Sequence, residues 1–590
     1  MMVLPVRIFH LLNFKQTFIA WKLYRYNFLQ LLQLILLNNY QLNNKRNILL
    51  YHIFLMNSAN DSKELESNLI INQLNSNNNT ILRNSSPEEV VKELNLISRP
   101  DDLKIGSAMK EITWIALPTM LFFMTLFLMQ TINLVFIGQS FEGSNKQDAL
   151  NGIGVSHLYI NCLALSIVVG LISGYETYGS NAYGAKNYRL MGLYYHRAQI
   201  IAYILTTILL TFHFFFAVKI LSFFGIDDKV LAYVDEYIKI MMFLIIFDVQ
   251  FSLNYRYLNI IGKSHVNLII LSSSLLLHPL WCYLLIIKLN LGIQGAAVCL
   301  VISQMLNAMG GVFYVYCFNP LPETVFSYNR NSFKGWWQYL KIALPATFLV
   351  CSEWWAFEML SVIAIWIGKV DYTVHMLLSN VNGILYTISI GFGMATSILV
   401  GKNLCEKGIV VVKKYIKIIF VYGLIFMLIF LTTLFILRGT VLRMYIDEED
   451  ILAKGETVIP LICLLDLFDM IQTILCSVCR GMGKQMYASL ITFMNFYLLQ
   501  TGLGILFGKW LGWGVFGIWF GSMIGCGLSA ISYYVIIFHV FDFDNIQLET
   551  LQRLQKDSKN VITTDIEVKD EKLLKNGWDT TFLTESFQTT

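Results

Sequence analysis

The sequence contains few charged residues, and this scarcity is its most general property. Asp, Glu, Lys and Arg together make up 14% of the 590 residues, whereas hydrophobic residues make up 56%. A net charge of +4 is too small and too dispersed to favour nucleic-acid binding. The charges that are present collect between apolar runs of membrane-spanning length, so the composition indicates a polytopic membrane protein.

The sequence also lacks complete motifs for nucleotide, metal or disulfide chemistry. Residues 262–264 read Gly-Lys-Ser like the end of a phosphate-binding loop, but Tyr257 stands where that loop needs glycine. The ten cysteines are scattered, and the one CxxC pair, Cys476 and Cys479, has no second pair beside it. We therefore expect no metal, no cofactor, no disulfide framework and no use of ATP.

Twelve apolar runs are long enough to cross a bilayer as helices. We predict an all-α fold in which each run is one transmembrane helix. The predicted spans lie at residues 112–137, 151–175, 198–222, 237–261, 266–290, 293–318, 338–368, 375–400, 411–437, 456–480, 485–510 and 513–541.

Positive charges are divided unequally between the two sets of predicted loops. If the first span starts in the cytoplasm, fifteen Lys and Arg fall in cytoplasmic loops and nine in the opposite loops. The positive-inside rule then places both termini in the cytoplasm. The plasma membrane and an acidic vacuole-like membrane both fit this orientation.

The chain divides into five segments. They are a low-complexity cytoplasmic N-terminal region at 1–104, a six-helix half at 105–318, a cytoplasmic linker at 319–337, a second six-helix half at 338–541 and a polar, mobile cytoplasmic tail at 542–590. The N-terminal region is rich in Asn and Ser after Met56, which is typical of disorder. We hypothesise that residues 1–55 are an upstream over-extension of the reading frame.

Four short motifs occur twice in the same order. The pairs are 116–118 with 343–345, Gly174 and Gly184 with Gly391 and Gly401, 262–263 with 483–484, and 292–295 with 514–517. Their offsets lie between 217 and 227 residues. Two halves with an even number of spans share one orientation, so the repeat axis is expected to run along the membrane normal around a central cavity. This architecture is typical of transporters.

The seventh predicted span contains two carboxylates, Glu353 and Glu358. An ionised acid at the bilayer centre costs at least ~2.5 kcal/mol, so these acids are candidates for a functional site. They lie about 140° apart around the helix, and Glu358 is deeper in the span, which makes it the preferred proton carrier. Alternatively, Glu353 lies near the membrane boundary or is satisfied by hydrogen bonds within the helix bundle. Trp354 and Trp355 between them are either cavity walls that stack on planar cations or packing residues.

Four motifs resemble the eukaryotic branch of the multidrug and toxic compound extrusion (MATE) family over residues 105–540. They are residues 174–185 at the end of the second span, 351–358 in the seventh, 400–403 after the eighth and 480–483 after the tenth. The resemblance implies an antiporter that exchanges an external cation for an organic substrate leaving the cytoplasm. The cation is usually a proton in eukaryotic members, with sodium as the alternative.

The resemblance also assigns roles to residues. It implies that Glu353, Glu358 and Asp469 are the coupling acids, with Asp469 eleven residues before Arg480 as in the family. A carboxyl group in a low-dielectric cavity can take and release a proton near neutral pH, so a proton and a cationic substrate compete for one charge. The positions implied to be structural or gating are Glu176, Gly184, Gly401, Asn403, Arg480 and Gly481.

Two positions depart from the family pattern. Asn133 stands where many bacterial relatives hold a coupling Asp, and Asn380 replaces an acid of some animal members. Neither side chain can release a proton. Asp248 lies 221 residues before Asp469, at its repeat-mate position, and is our candidate for an acid in the first half. The alternative is a locally paired carboxylate near the interface. Asp466, three residues before Asp469, is positioned to share its helix face.

Two other functions compete with efflux. A lipid-linked oligosaccharide flippase of the same wider superfamily would need a basic cavity, whereas the intramembrane charges here are mostly acidic. A membrane-embedded enzyme would have to use His278, which has no obvious partner in the sequence, so we expect no enzymatic activity. The expected partners are small organic molecules, protons or sodium, and the lipid bilayer, and the chain is expected to act as a monomer.

Overall fold

The computed structural model describes residues 86–97, 103–140, 143–223, 226–443 and 448–575. Within these ranges the chain forms helices joined by short turns and contains no β-strand. The hypothesis about residues 1–55 falls on residues outside the described ranges. A short helix, Pro87–Ile97, precedes the first long helix.

Twelve long helices follow one another, and each overlaps one predicted span. They are α1 Ile105–Ser140, α2 Asp148–Gly184, α3 Tyr188–Phe223, α4 Asp228–Ile260, α5 Ser264–Lys288, α6 Gly292–Phe318, α7 Trp336–Ile367, α8 Lys369–Glu406, α9 Ile409–Arg443, α10 Glu449–Gly481, α11 Gln485–Trp510 and α12 Gly514–Val540. Eleven of the helices in the described residues are long and apolar enough to cross a membrane. The more highly charged α4 completes the set of twelve.

The helices of the two halves pack in matching pairs. In the first half α1 contacts α5, α2 contacts α4, and α4 contacts α6. In the second half the same pairs recur as α7 with α11, α8 with α10, and α10 with α12. Between the halves, α1 packs on α8 and α7 packs on α2, which is the exchange that a two-fold repeat axis requires. The predicted fold of two six-helix halves is therefore confirmed.

The turns between helices repeat at the level of the backbone. Each half has four left-handed positions at offsets of 221 or 222 residues, and the pairs are Lys186 with Gly408, Gly262 with Gly483, Asn290 with Gly512, and Gly292 with Gly514. Glycine adopts positive φ without steric cost, so the glycine matches seen in the sequence reflect a required backbone conformation. The same offset pairs Gly401 with Gly179, which corrects the predicted match of Gly401 with Gly184.

The last described segment is a helix that was not predicted. Instead of a mobile tail from residue 542, Phe543–Lys575 forms a helix, labelled α13. Gln547, Leu551, Leu554 and Asp557 on this helix are buried. Their spacing of three or four residues places them on one face, as in a helix packed on a protein surface. The tail is polar in composition, yet one of its faces is fixed against the helix bundle.

Candidate functional site

Helices α7 and α10 place three carboxylates in the interior of the second half. Glu353 on α7 is 9% exposed, and Asp466 and Asp469 on α10 are 1% and 2% exposed. The thiol of Cys526 on α12 lies close enough to interact electrostatically with all three. The structure therefore brings the predicted residues Glu353 and Asp469 together and adds Asp466. These three carboxylates are called the acid cluster below.

The acid cluster makes few hydrogen bonds. Gln472 donates its Nε2 to Oδ1 of Asp469 at 3.2 Å, and Cys476 points its thiol at Oε1 of Glu353 across 4.0 Å. Among the described residues, Oδ2 of Asp466, Oδ2 of Asp469 and Oε1 of Gln472 have no hydrogen-bond partner. Buried polar atoms are normally paired, so this group of acceptors suits a proton or a cation as its missing partner.

A row of alternating charges connects the acid cluster to the first half. Arg256 on α4 interacts with Asp248 and lies 3.7 Å from the carboxylate of Glu176 on α2. On the other side of the interface, Arg480 at the end of α10 interacts with both Glu176 and Glu353. The order Asp248, Arg256, Glu176, Arg480, Glu353 thus crosses from one half to the other. We call it the charge row.

Asp248 is the best satisfied of the interior acids. Gln304 on α6 donates to its Oδ1 at 2.8 Å, and Ser252 donates to its Oδ2 at 3.1 Å. Since α4 and α10 hold matching places in their halves, Asp248 and Asp469 occupy equivalent positions. The equivalent acids differ in their surroundings, because both oxygens of Asp248 accept a hydrogen bond while one oxygen of Asp469 does not.

Glu358 lies away from the acid cluster. Its electrostatic neighbours are Cys162 on α2 and Tyr372 on α8, so it faces the interface between the halves. Glu353 faces the interior of the second half. The structure therefore does not bring the two glutamates into one site, in keeping with their predicted angular separation.

A π-helical turn in α2 provides a hydrogen-bond acceptor for Trp355. Within the turn Asn161–Leu165, the N–H of Ser166 bonds to the carbonyl of Asn161 and leaves the carbonyl of Cys162 for side chains. The indole N–H of Trp355 donates to that carbonyl at 2.7 Å. Such turns are frequent at functional sites. Trp355 thus ties α7 to α2 across the interface, while Trp354 is half-buried.

Several helix ends meet at one face of the bundle, called the terminal face below. Lys402 near the end of α8 pairs with Glu111 near the start of α1 at 3.0 Å. Tyr415 on α9 donates to the same glutamate at 2.6 Å. The hydroxyl of Thr177 on α2 donates to the carbonyl of Arg480 at 2.7 Å. All three contacts join the first half to the second.

Gly184 and Gly401 lie where α2 and α8 cross at the terminal face. A Cβ atom on Gly184 would overlap the backbone carbonyl of Lys402, and one on Gly401 would overlap the side chain of Ser180. Both glycines therefore act in helix packing between the halves.

Gly481 and Asn403 have related structural roles within the second half. A Cβ on Gly481 would lie 2.6 Å from the carbonyl oxygen of Ser397, so α10 approaches the backbone of α8 closely. Asn403 is fully buried, and its side chain donates to the carbonyl of Leu399 at 2.8 Å.

We expect Gly184→Ala to destabilise the purified protein, because the new methyl group would meet a backbone oxygen that cannot rotate away. Overpacking of this kind costs about 1–3 kcal/mol. Thermal unfolding in detergent is the measurement, and Gly106→Ala is the matched control, because nothing lies within 4 Å of a Cβ at that position. Equal unfolding midpoints for the two variants would contradict a tight α2–α8 contact.

Arg256 and Gln472 belong to the site but were not predicted as site residues. Gln472 follows Asp469 by three residues, so helical spacing alone could have indicated it. Arg256 was counted among the loop charges, whereas it is 7% exposed and lies within α4. Its pairing with Glu176 joins two helices that are distant in sequence, which no local pattern reveals.

Two six-helix halves with buried carboxylates between and within them define a multi-pass membrane transporter. The MatE family model matches residues 118–284 and 345–506, one stretch in each half. The chain belongs to this family.

Similar proteins come from several kingdoms. Multidrug and toxin extrusion protein 1 of Danio rerio is 25% identical over 425 residues, which cover 71% of this chain and 70% of the relative. Protein DETOXIFICATION 16 of Arabidopsis thaliana is 24% identical over 438 residues, covering 72% of this chain and 88% of the relative. The crystal structure of the eukaryotic MATE transporter AtDTX14 superposes with a TM-score of 0.71 at 20% identity, over 76% of this chain and 99% of that one.

Proposed function

We propose that this protein is a secondary efflux transporter that exchanges protons for organic cations or other xenobiotics by alternating access. The observation that carries the proposal is the acid cluster, whose buried carboxylate oxygens lack partners among the described residues. Relatives named for multidrug and toxin extrusion support the class of substrate.

In the proposed cycle, Glu353 and Asp469 hold either protons or the substrate. Ionised carboxylates in a low-dielectric interior attract a cation strongly, since water does not screen them. Protonation removes that attraction and releases the substrate. Because the same oxygens bind both, a proton and a cation exclude each other, and that exclusion couples the two fluxes.

The charge row is the proposed link between protonation and the packing of the halves. When Glu353 takes a proton, Arg480 loses one of its two acidic neighbours and interacts with Glu176 alone. Asp248 is proposed to act on the same row through Arg256. Glu358, Trp354 and Trp355 are proposed to contact the substrate on its way to the acid cluster, because Glu358 and Trp355 face the interface between the halves.

The orientation and membrane follow from the sequence prediction. We propose that the terminal face is cytoplasmic, that both termini lie there, and that the protein works as a monomer in the plasma membrane or an acidic vacuole-like membrane. A flippase function receives less support, because the interior residues Arg256 and Arg480 both face carboxylates and so do not form a basic cavity.

The proposal is tested by uptake of a fluorescent organic cation into inside-out vesicles with an acidic lumen. We expect accumulation that collapses when an ionophore dissipates the pH gradient, and none in vesicles without the protein. Uptake that follows a sodium gradient and ignores the pH gradient would replace the proton by sodium. If neither gradient drives uptake of any organic cation tested, cation antiport is wrong.

A further inference from the structure

We propose that the acid cluster takes two positive charges at a time, two protons in one state and a doubly charged organic cation in the other, with Asp466 adding the second charge. This inference rests on the proposed antiport. It adds the stoichiometry of the exchange and a narrower class of substrate.

The charge balance of the cluster is the first argument. Arg480 acts on Glu353 and is shared with Glu176. Neither Asp466 nor Asp469 has a positively charged neighbour among the described residues. With all three carboxylates ionised, the cluster would therefore carry two uncompensated negative charges.

Two uncompensated charges are too unfavourable to persist in this interior. Each buried ion loses several kcal/mol of hydration, and two carboxylates on one helix face repel each other in addition. The cluster must therefore hold two protons or two cationic charges. One proton is not enough, because the remaining aspartate would still be buried, charged and unpaired.

Gln472 gives a second observation that points to a ligand. Its side chain is 2% exposed and is held against Asp469 by a hydrogen bond from Nε2. Its Oε1 has no partner among the described residues. A neutral acceptor aimed into an acidic pocket adds nothing to the binding of a proton on a neighbouring carboxylate, but it can accept a hydrogen bond from an ammonium or amidinium group.

The spacing of the aspartates defines the proposed substrate. Residues three apart on a helix have Cβ atoms about 5–6 Å apart. An organic dication with two cationic centres at a comparable separation would neutralise both carboxylates at once. A monovalent cation would leave one of them uncompensated.

Other titratable groups surround the cluster on the neighbouring helices. They are Tyr386 on α8, Cys463, Cys476 and Arg480 on α10, and Cys526 and Tyr533 on α12. None of these groups other than the carboxylates is expected to exchange protons during transport, because thiols, phenols and guanidinium groups ionise far from neutral pH and burial disfavours their change of charge.

The stoichiometry is measured as a null point in proteoliposomes held at zero membrane potential with potassium and valinomycin. The substrate ratio that stops net flux is recorded against the imposed pH difference. Each exchanged proton contributes a factor of about ten per pH unit, so two protons balance a roughly 100-fold substrate ratio and one proton a roughly tenfold ratio. We expect the 100-fold value for wild type with a bis-cationic probe.

The outcomes separate the inference from the function on which it rests. A tenfold ratio in wild type would overturn the two-charge proposal and leave antiport intact, whereas a ratio independent of pH would overturn antiport itself. We expect Asp466→Asn to reduce the balance to about tenfold and to lower the preference for the bis-cationic probe over a monocation of the same scaffold. Asp450→Asn, at an exposed position on the same helix, is the matched control. The wild-type result decides the proposal even if Asp466→Asn fails to fold.

A second inference comes from α13 and does not depend on the acid cluster. We infer that α13 is a strap that holds the terminal face closed and must leave the first half before that face opens. Its first turns are anchored to the second half. Phe543 and Ile546 lie in the buried core there, Gln547 donates to the carbonyl of Leu404 at 2.8 Å, and Glu549 pairs with Lys484 at 2.7 Å.

The following turns of α13 bind the first half. The guanidinium of Arg553 stacks over the ring of Tyr178 at 4.9 Å. Tyr194 donates to the buried carboxylate of Asp557 at 2.6 Å, and Asn187 donates to Ser558 at 2.6 Å. One rigid helix therefore spans both halves beside the crossing of α2 and α8. Because it follows α12 directly, its contacts with the first half are the ones that must break.

Maleimide labelling of Ser180→Cys tests the strap, because Ser180 is fully buried at that crossing. The background variant Asp557→Ala removes a hydrogen bond to a charged group, worth about 1.5–3 kcal/mol, so we expect labelling to rise by roughly tenfold or more. Lys556→Ala on the exposed side of the same helix should not change it. Peptide mass spectrometry separates the new cysteine from the native ones. Unchanged labelling in Asp557→Ala would overturn the inference.

A reversible lock gives the complementary test. With Asn187→Cys and Ser558→Cys, mild oxidation should join α13 to the first half through a disulfide. We expect transport to stop on oxidation and to return on reduction. Transport that continues with the disulfide formed would show that α13 need not move.

Discussion

Glu353→Gln is expected to reduce proton-driven transport by roughly 100-fold or more, which is the largest effect of any single carboxylate substitution in this protein. Glutamine cannot bind a proton, and it removes the charge that attracts a cation into the second half. The loss of a charge-assisted contact worth about 1.5–3 kcal/mol already corresponds to roughly 10- to 100-fold, before the loss of coupling is counted. Substrate uptake driven by a pH gradient in proteoliposomes is the measurement.

Glu358→Gln is the informative comparison for this prediction. Glu358 is half-buried at the interface between the halves, where it is proposed to contact the substrate, so its substitution should reduce transport less. Both variants must be compared at equal amounts of folded protein. If Glu358→Gln abolishes proton-driven transport and Glu353→Gln does not, the proton carrier lies at the interface, as the depth of Glu358 in its span had suggested.

The preference for Glu358 shows what sequence reasoning lacks at such a site. The angular separation of the two glutamates follows from helix geometry alone. Which of them turns toward Asp469 depends on how α7 packs against α8 and α10, and that is a tertiary property. The number of residues between an acid and the end of its span does not reveal the direction in which the side chain points.

The twelve spans could be predicted because the thickness of the bilayer fixes the length of each apolar run. The repeat could be recognised because Gly262 and Gly483, like Gly292 and Gly514, adopt positive φ at equivalent turns. These features are local or depend on a physical constraint common to all membrane proteins.

The helix α13 escaped prediction for the opposite reason. Gln547 and Asp557 on its buried face are polar and are held by hydrogen bonds to partners far away in the sequence, Leu404 and Tyr194. No apolar stripe marks such a face strongly. The charge row was hidden in the same way, because its members come from α2, α4, α7 and α10.

Arg480→Met is expected to destabilise the folded protein by about 3 kcal/mol or more, a large effect for one substitution. Arg480 interacts with both Glu176 and Glu353, so its removal leaves two buried carboxylates that face each other without a cation between them. Breaking a buried ion pair by removing one partner costs about 3–5 kcal/mol, chiefly because the other charge stays buried and unpaired. Thermal unfolding followed by size-exclusion chromatography in detergent is the measurement.

Because the instability arises from charges left unpaired, removing one of those charges should restore part of it. We expect Arg480→Met with Glu353→Gln to unfold at a higher temperature than Arg480→Met alone, and the same for the double variant with Glu176→Gln. Arg443→Met is the matched control, since its ion pair with Glu449 is exposed and exposed pairs contribute little. If both double variants are as unstable as Arg480→Met, or less stable, Arg480 supports the fold through packing, and the charge row cannot carry a signal from Glu353 to the first half.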